Sequence, residues 1–139
     1  MAAIVVFDTN VLFSAAAWKG PPYACVELAR TGQIQAVTCW EILTELTEKL
    51  SERLQFSESK INDTLAGLLS FHDFARIAGT ISASRDPDDD VVLECAVVAQ
   101  AGYIITGDKD LLVLNEFQGV IILKAADFLK QWESGAIPK

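Results

Sequence analysis

The sequence predicts an α/β fold with a mostly parallel central sheet, on three observations. Short β-branched runs, "IVVF" (4–7), "IQAVT" (34–38), "YIIT" (103–106) and "GVIIL" (119–123), recur along the chain. Segments with apolar residues at helical spacing lie between them, and no internal repeat or Pro/Gly/Ser-rich linker interrupts the alternation. Strands alternating with helices imply right-handed crossovers that place helices on both faces of the sheet.

Each element has its own local reason. "IVVF" suits a strand covered on both faces, and it ends at Asp8. "NVLFSAAA" can start a helix, Pro21-Pro22 can open a second over "PPYACVELAR", and Gly32 can close it. From Trp40 to Leu54, Ile42, Leu43, Leu46 and Leu50 form one apolar stripe and leave Glu41, Glu45, Glu48 and Glu52 on neighbouring positions. Ser57 can cap a helix reaching Phe71, and "FARIA" (74–78) predicts a weak strand. The Asp cluster of "RDPDDD" then opens a helix to Ala101 that Gly102 ends; "YIIT" runs into the turn "GDKD", and "AADFLKQWESG" (125–135) is the last helix.

Bulk properties narrow the function classes. A chain of 139 residues, half of them apolar, fits one domain over residues 1–139 with a single core. The start "MAAIVVFDTN" lacks a basic leader and no apolar run is long enough to span a bilayer, so the expectation is a cytoplasmic protein with no membrane partner. Cys25, Cys39 and Cys95, odd in number and set in apolar surroundings, read as buried thiols rather than disulfides or a zinc site. A net charge of −8 argues against a broad sequence-independent footprint on DNA.

Acids stand where such sheets collect functional groups, outside the carboxyl ends of the strands. Asp8 follows the first strand, Asp88–Asp90 open a helix, Asp108 and Asp110 follow "YIIT", and Glu45 projects toward the same edge if its strand lies beside the first. Singly, each has an ordinary explanation, since an acid at a helix start is stabilised by about 0.3–1 kcal/mol. Together they are costly: two carboxylates about 4 Å apart repel by roughly 4 kcal/mol at an effective dielectric near 20. Lys109 and Arg85 are too few to offset this, whereas a hard divalent cation accepts such oxygens and supplies the chemistry of phosphodiester cleavage.

The motifs "VFDTNVLFSA", "EILTELTEKL" and "RDPDDDVVLECAVVAQAGYIITGDKDLL", in this order, resemble the PIN-domain ribonucleases, especially the small prokaryotic VapC-like branch of toxin–antitoxin pairs. The resemblance covers essentially the whole chain and implies a three-layer α/β/α sandwich around a parallel sheet of four or five strands. By position it makes Asp8, Glu45, Asp89 and Asp108 the catalytic, metal-binding acids, with Glu41 and Glu48 as register alternatives to Glu45. The resemblance likewise implies that Asp110 is a helper or outer ligand and that Asn10 and Thr106 support the site, Asn10 orienting Asp8 and Thr106 bonding a carboxylate. Asp90 stands where the family carries Asn, which leaves open whether Asp89 or Asp90 points at the metal. The implied activity is Mg²⁺- or Mn²⁺-dependent endonucleolytic cleavage of RNA by water, in a protein that often forms homodimers and is inhibited by a small antitoxin.

Other schemes lack their anchors. One histidine, His72, placed on an apolar helix, cannot supply an acid–base pair, and no G-x-S-x-G, G-x-x-x-x-G-K-[ST] or G-x-G-x-x-G motif occurs. Trp18, Trp40 and Trp132 can stack on bases or serve as core and interface residues. The rival function is a PIN-like module that binds RNA or protein without cutting, which the low basic content favours.

Overall fold

The computed structural model describes residues 2–139, and Met1 lies outside them. The elements are β1 (Ile4–Phe7), α1 (Thr9–Ala17), α2 (Pro21–Arg30), β2 (Gln35–Thr38), α3 (Trp40–Leu54), α4 (Glu58–Leu69), β3 (His72–Phe74), α5 (Pro87–Val98), β4 (Tyr103–Ile105), α6 (Lys109–Leu112), β5 (Glu116–Phe117), β6 (Val120–Leu123) and α7 (Ala125–Glu133). One sheet has the order β3-β2-β1-β4-β6-β5. Its first five strands are parallel, and the two-residue β5 adds an antiparallel edge to β6. The α/β/α architecture is the one the alternation of elements predicts.

Helices α2, α4 and α5 are started by residues that flag them in sequence, and Asp8, read there only as a strand-end acid, also serves as a cap. Asp8 caps α1, Pro21 and Pro22 occupy its successor's first turn, Ser57 caps α4, and Asp86 with Pro87 opens α5. Between them, α5 packs on β1, β2 and β4, while α1, α2 and α7 pack side by side and α3 joins α1 to α4. The core they enclose contains Val5, Val6, Phe7, Leu46, Leu50, Leu93, Ile104 and Phe128, and Cys25, Cys39 and Cys95 are buried within it as free thiols.

Five local expectations are corrected or extended. The weak strand lies at 72–74, where His72, Asp73 and Phe74 pair with Ala36, Val37 and Thr38. The ladder ends at Ala75, whose N–H reaches the Thr38 carbonyl, and from Ala78 to Ile81 the backbone N–H groups bond the Glu94 carboxylate of α5. His72 therefore sits on a strand, buried, with Nδ1 against the Leu68 carbonyl and its ring edge-on to Phe7. Helix α5 stops at Val98 because Ala101 N–H bonds back to Ala96 and Gly102 N–H is already committed to the Ile4 carbonyl of β1. "GDKD" is no simple turn: Asp108 caps the short α6. The final strand is half of a hairpin, turned by Gln118 (φ 48) and Gly119 (φ 84), both in the left-handed region that such turns require.

The strand order has one consequence for function. From β1 the chain runs outward through β2 and β3, then crosses back to place β4 on the other side of β1. The crevice outside the carboxyl ends of β1 and β4 is thus the point where the winding reverses, the usual place for a ligand in an open parallel sheet. No helix among the described residues is long and apolar enough to cross a membrane.

Candidate metal centre

Asp8 leaves β1 into that crevice, and its carboxylate is fixed from two sides. One oxygen accepts the Val11 N–H at 2.8 Å, and the other accepts the Thr106 hydroxyl. Thr106 follows β4 and also accepts the Asp108 N–H at 3.0 Å, so one hydroxyl ties the acid after β1 to the loop after β4. Asp108 caps α6 with one oxygen, which takes the N–H groups of Asp110 (2.8 Å) and Leu111 (3.3 Å). Asp89 enters from the first turn of α5 and is only 7% exposed, with the Ser84 hydroxyl at 3.4 Å. Glu45 descends from α3, accepting the Thr9 hydroxyl at 3.3 Å and facing Lys49 Nζ at 3.0 Å.

Asp8, Thr9, Glu45, Lys49, Asp89 and Asp108 line one cleft of about 230 Å³ together with Asn10, Asp86, Asp88 and Val92. At ~30 Å³ per water it has room for a hydrated ion and a phosphate group. Its six carboxylates, from Asp8, Glu45, Asp86, Asp88, Asp89 and Asp108, face a single cation, Lys49. Burial pushes the Asp8 carboxyl up to about 6, against the pull of its Thr106 and Val11 hydrogen bonds, with the Asp108 charge adding to the rise. Burial, then the charges of Asp108, Asp86 and Asp110, push Asp89 up to about 7. Asp88 is raised as well, by burial and by Glu45 and Asp86. The cleft therefore holds more negative charge than its own donors neutralise.

Oxygens of Asp89, Asp108 and Asp110 lie within 4.8 Å of one another. That is close to the span of one cation's ligand sphere, about 4.2 Å across at metal–oxygen distances near 2.1 Å. A hard, all-oxygen donor set with uncompensated charge fits Mg²⁺ or Mn²⁺ and offers nothing soft for zinc or copper.

The positions named from sequence divide clearly. Asp8, Glu45, Asp89 and Asp108 meet in the cleft, whereas Glu41 and Glu48 are exposed and outside its lining. Asp90 points the other way, accepting the N–H groups of Ala83 (2.9 Å) and Ser84 (2.7 Å), so Asp89 is the member of the pair that faces the crevice. Asp110 sits at the rim in an exposed ion pair with Arg85 at 2.7 Å. Thr106 bonds a carboxylate as expected, but Asn10 does not orient Asp8: its Oδ1 accepts Lys49 Nζ at 2.7 Å. Sequence reading missed Lys49, and the signal was available, since a Lys four residues after a Glu on a helix faces it. Thr9 and Val92 carried no comparable signal. Lys109, weighed as a counter-charge, is exposed and outside the cleft.

Comparison with known proteins points the same way as the geometry. A family model described as PIN domain matches residues 4–110, from the start of β1 to Asp110. No curated protein was found similar to the chain in sequence. Among solved structures, the fold is similar to VapBC2 from Rickettsia felis bound to a DNA fragment from its promoter, at 14% identity, 86% of this chain, 96% of that chain and a TM-score of 0.58. It is also similar to the RRP44 PIN domain of T. brucei, at 14% identity, 98% and 84% coverage and a TM-score of 0.56. A third, VapC20 of Mycobacterium tuberculosis, described as a sarcin-ricin loop cleaving toxin, shares 11% identity over 84% of this chain and 98% of that one, with a TM-score of 0.58. These likenesses are of fold.

Proposed function

The chain belongs to the PIN domain family, and on that premise we propose that it is one such domain acting as a divalent-metal-dependent endoribonuclease, the toxin of a toxin–antitoxin pair. The observation that carries this is the convergence of Asp8, Glu45, Asp89 and Asp108, from four separate segments, on one cleft at the sheet's switch point. The fold likeness to VapBC2 and VapC20 supports the toxin reading, and with it a small antitoxin partner; a homodimer in a cytoplasmic setting completes the proposal.

In this reading Asp8, Glu45, Asp89 and Asp108 hold Mg²⁺ or Mn²⁺, with Asp110 at the rim. When bound, the ion lowers the pKa of a water and offsets charge on the phosphodiester under attack. The chain's own contribution is placement. Thr106 and the Val11 N–H fix the Asp8 carboxylate, the α6 cap fixes Asp108, and Asn10 and Glu45 hold the Lys49 ammonium where a substrate phosphate enters.

Purified protein should cleave single-stranded RNA with Mn²⁺ and stop on addition of EDTA. Calorimetry should show heat at millimolar Mn²⁺. Asp89→Asn should weaken Mn²⁺ binding by roughly tenfold or more, whereas Asp90→Asn should stay close to wild type. Equal loss in both variants would mean that the register is wrong. Lys49→Met should weaken RNA binding and flatten its dependence on log salt by about 0.7, one phosphate contact on a single strand. An unchanged slope would remove Lys49 from the substrate path.

The net charge of −8 favours the second reading, a module that binds RNA or protein without cutting. RNA binding without metal heat or cleavage would select it.

A further inference from the structure

Two aromatic rings, packed at a tilt against each other, stand uncovered on the same edge of the sheet as the acidic cleft. Trp40 is the first residue of α3, two positions past the end of β2, and Phe74 is the last residue of β3. Their ring centroids are 5.0 Å apart with planes 31° from parallel, yet Trp40 is 65% and Phe74 44% exposed. Trp132, by contrast, is buried in the core beside α7's other apolar residues. Nothing about helix initiation calls for Trp at this position, and leaving such rings in water is unfavourable.

We propose that Trp40 and Phe74 form a stacking platform for a base of single-stranded RNA whose scissile phosphate lies in the cleft; this rests on the nuclease reading above. Position supports it first. The order β3-β2-β1-β4 sets the ends of β2 and β3 one and two strands from the end of β1, where Asp8 sits. At about 4.8 Å per strand the platform lies roughly 5–10 Å along the edge from Asp8, within reach of a neighbouring nucleotide.

Size and charge select the occupant. The two rings expose on the order of 250 Å², far below the ~800 Å² per partner of a stable protein interface, but comparable to one base face. Glu41, exposed next to Trp40, disfavours a phosphate at the platform itself and leaves the base as the group in contact. Two residues past Phe74, Arg76 is exposed and enters no ion pair among the described residues, which leaves a cation for the adjoining backbone. Stacking on aromatics is sequence-tolerant because every base has a π-face, so the platform sets affinity and register rather than a sequence code.

The test uses full-length protein carrying Trp18→Phe, which removes the other exposed indole and leaves buried Trp132 as a constant background. A ten-nucleotide oligouridine is titrated in Ca²⁺, and Trp40 fluorescence is followed. Quenching is expected, with none from an abasic oligomer of the same charge. Trp40→Ala should weaken binding about 5- to 100-fold and raise KM for cleavage with kcat little changed, Phe74→Ala should do the same more weakly, and Trp40→Phe should restore most of the loss. Alanine variants that bind and cleave like the parent overturn the platform while leaving the nuclease reading intact. Quenching without cleavage in Mn²⁺ sinks the nuclease and keeps the platform. A shift from dimer to monomer in Trp40→Ala, with RNA affinity unchanged, overturns it in favour of a second copy on this face.

Discussion

Asp8→Asn should lower Mn²⁺-dependent RNA cleavage by at least about 10³-fold and, in EDTA, make the protein more stable at pH 8. Both effects come from one placement. Asp8 is 4% exposed, pinned at the end of the central strand, and its carboxyl is pushed from an ordinary 3.8 up to about 6 by burial. A raised folded value means the group stabilises the fold while protonated. That contribution is complete below the unfolded value and is lost as pH climbs from about 4 through about 6. Two units correspond to roughly 3 kcal/mol.

Asn removes that loss but puts an NH2 group where the oxygen facing Thr106 stood, so that bond must reverse its donor or be lost, at about 1 kcal/mol. The expected net gain at pH 8 is therefore about 2 kcal/mol, with a small deficit near pH 4. Denaturant unfolding in EDTA at the two pH values checks it. Wild type should lose stability further as pH rises through about 7, where Asp89 ionises, and Mn²⁺ should cancel the slope. A variant destabilised at both pH values would show that Asp8 serves the fold rather than a charge-hungry site.

Glu94→Ala should lower Tm by roughly 10 °C, the largest loss expected from a single polar residue outside the cleft. Glu94 lies on α5, 3% exposed, and accepts four backbone N–H groups: Ala78 (2.6 Å), Gly79 (2.9 Å), Thr80 (2.7 Å) and Ile81 (3.0 Å). Burial raises its carboxyl, but the four donors together hold it below the ordinary range. A depressed group stabilises the fold above its unfolded value, and that stabilisation is lost as pH falls below about 4.5. Alanine orphans all four donors and frees the segment that leads into Asp86 and Asp89. Glu94→Gln, which keeps one acceptor oxygen, should fall between. Thermal melts and limited proteolysis of the 77–84 segment are the measurements. A Tm within about 2 °C of wild type, where 1 kcal/mol shifts a domain of this size by a few degrees, would mean that water replaces the carboxylate at little cost.

Glu94 also marks where sequence reading stops. Nothing in "VVLECAVVAQ" distinguishes it from a solvated acid on an amphipathic helix, because its partners are backbone groups that carry no side-chain signature. The misplaced β3 has the same origin. The "FARIA" segment has strand-forming residues, but only Phe74 and the Ala75 N–H join the ladder, Ala78 N–H is taken by Glu94, and the strand begins earlier, at His72.

The cleft was legible to a different degree at each residue. Asp8, Asp89 and Asp108 announce themselves because helix starts and strand ends are read from neighbours in the chain. Choosing Asp89 over Asp90 depends on how α5 is rotated against β1, β2 and β4, and on the loop whose N–H groups take Asp90 Oδ1. Lys49 in place of Asn10's expected partner, and the pairing of Trp40 with Phe74 across two strands, depend on which segments lie side by side.

By itself the sequence determined the alternation of strands and helices, the residues that start α2, α4 and α5, and the excess of acid at strand ends, since periodicity and capping involve residues within a turn or two of one another. Only the tertiary structure decided which acids share a crevice, which cation meets them and which carboxylates are spent on the backbone. Those outcomes follow from strand order and helix rotation, which are set by burial summed over the whole core.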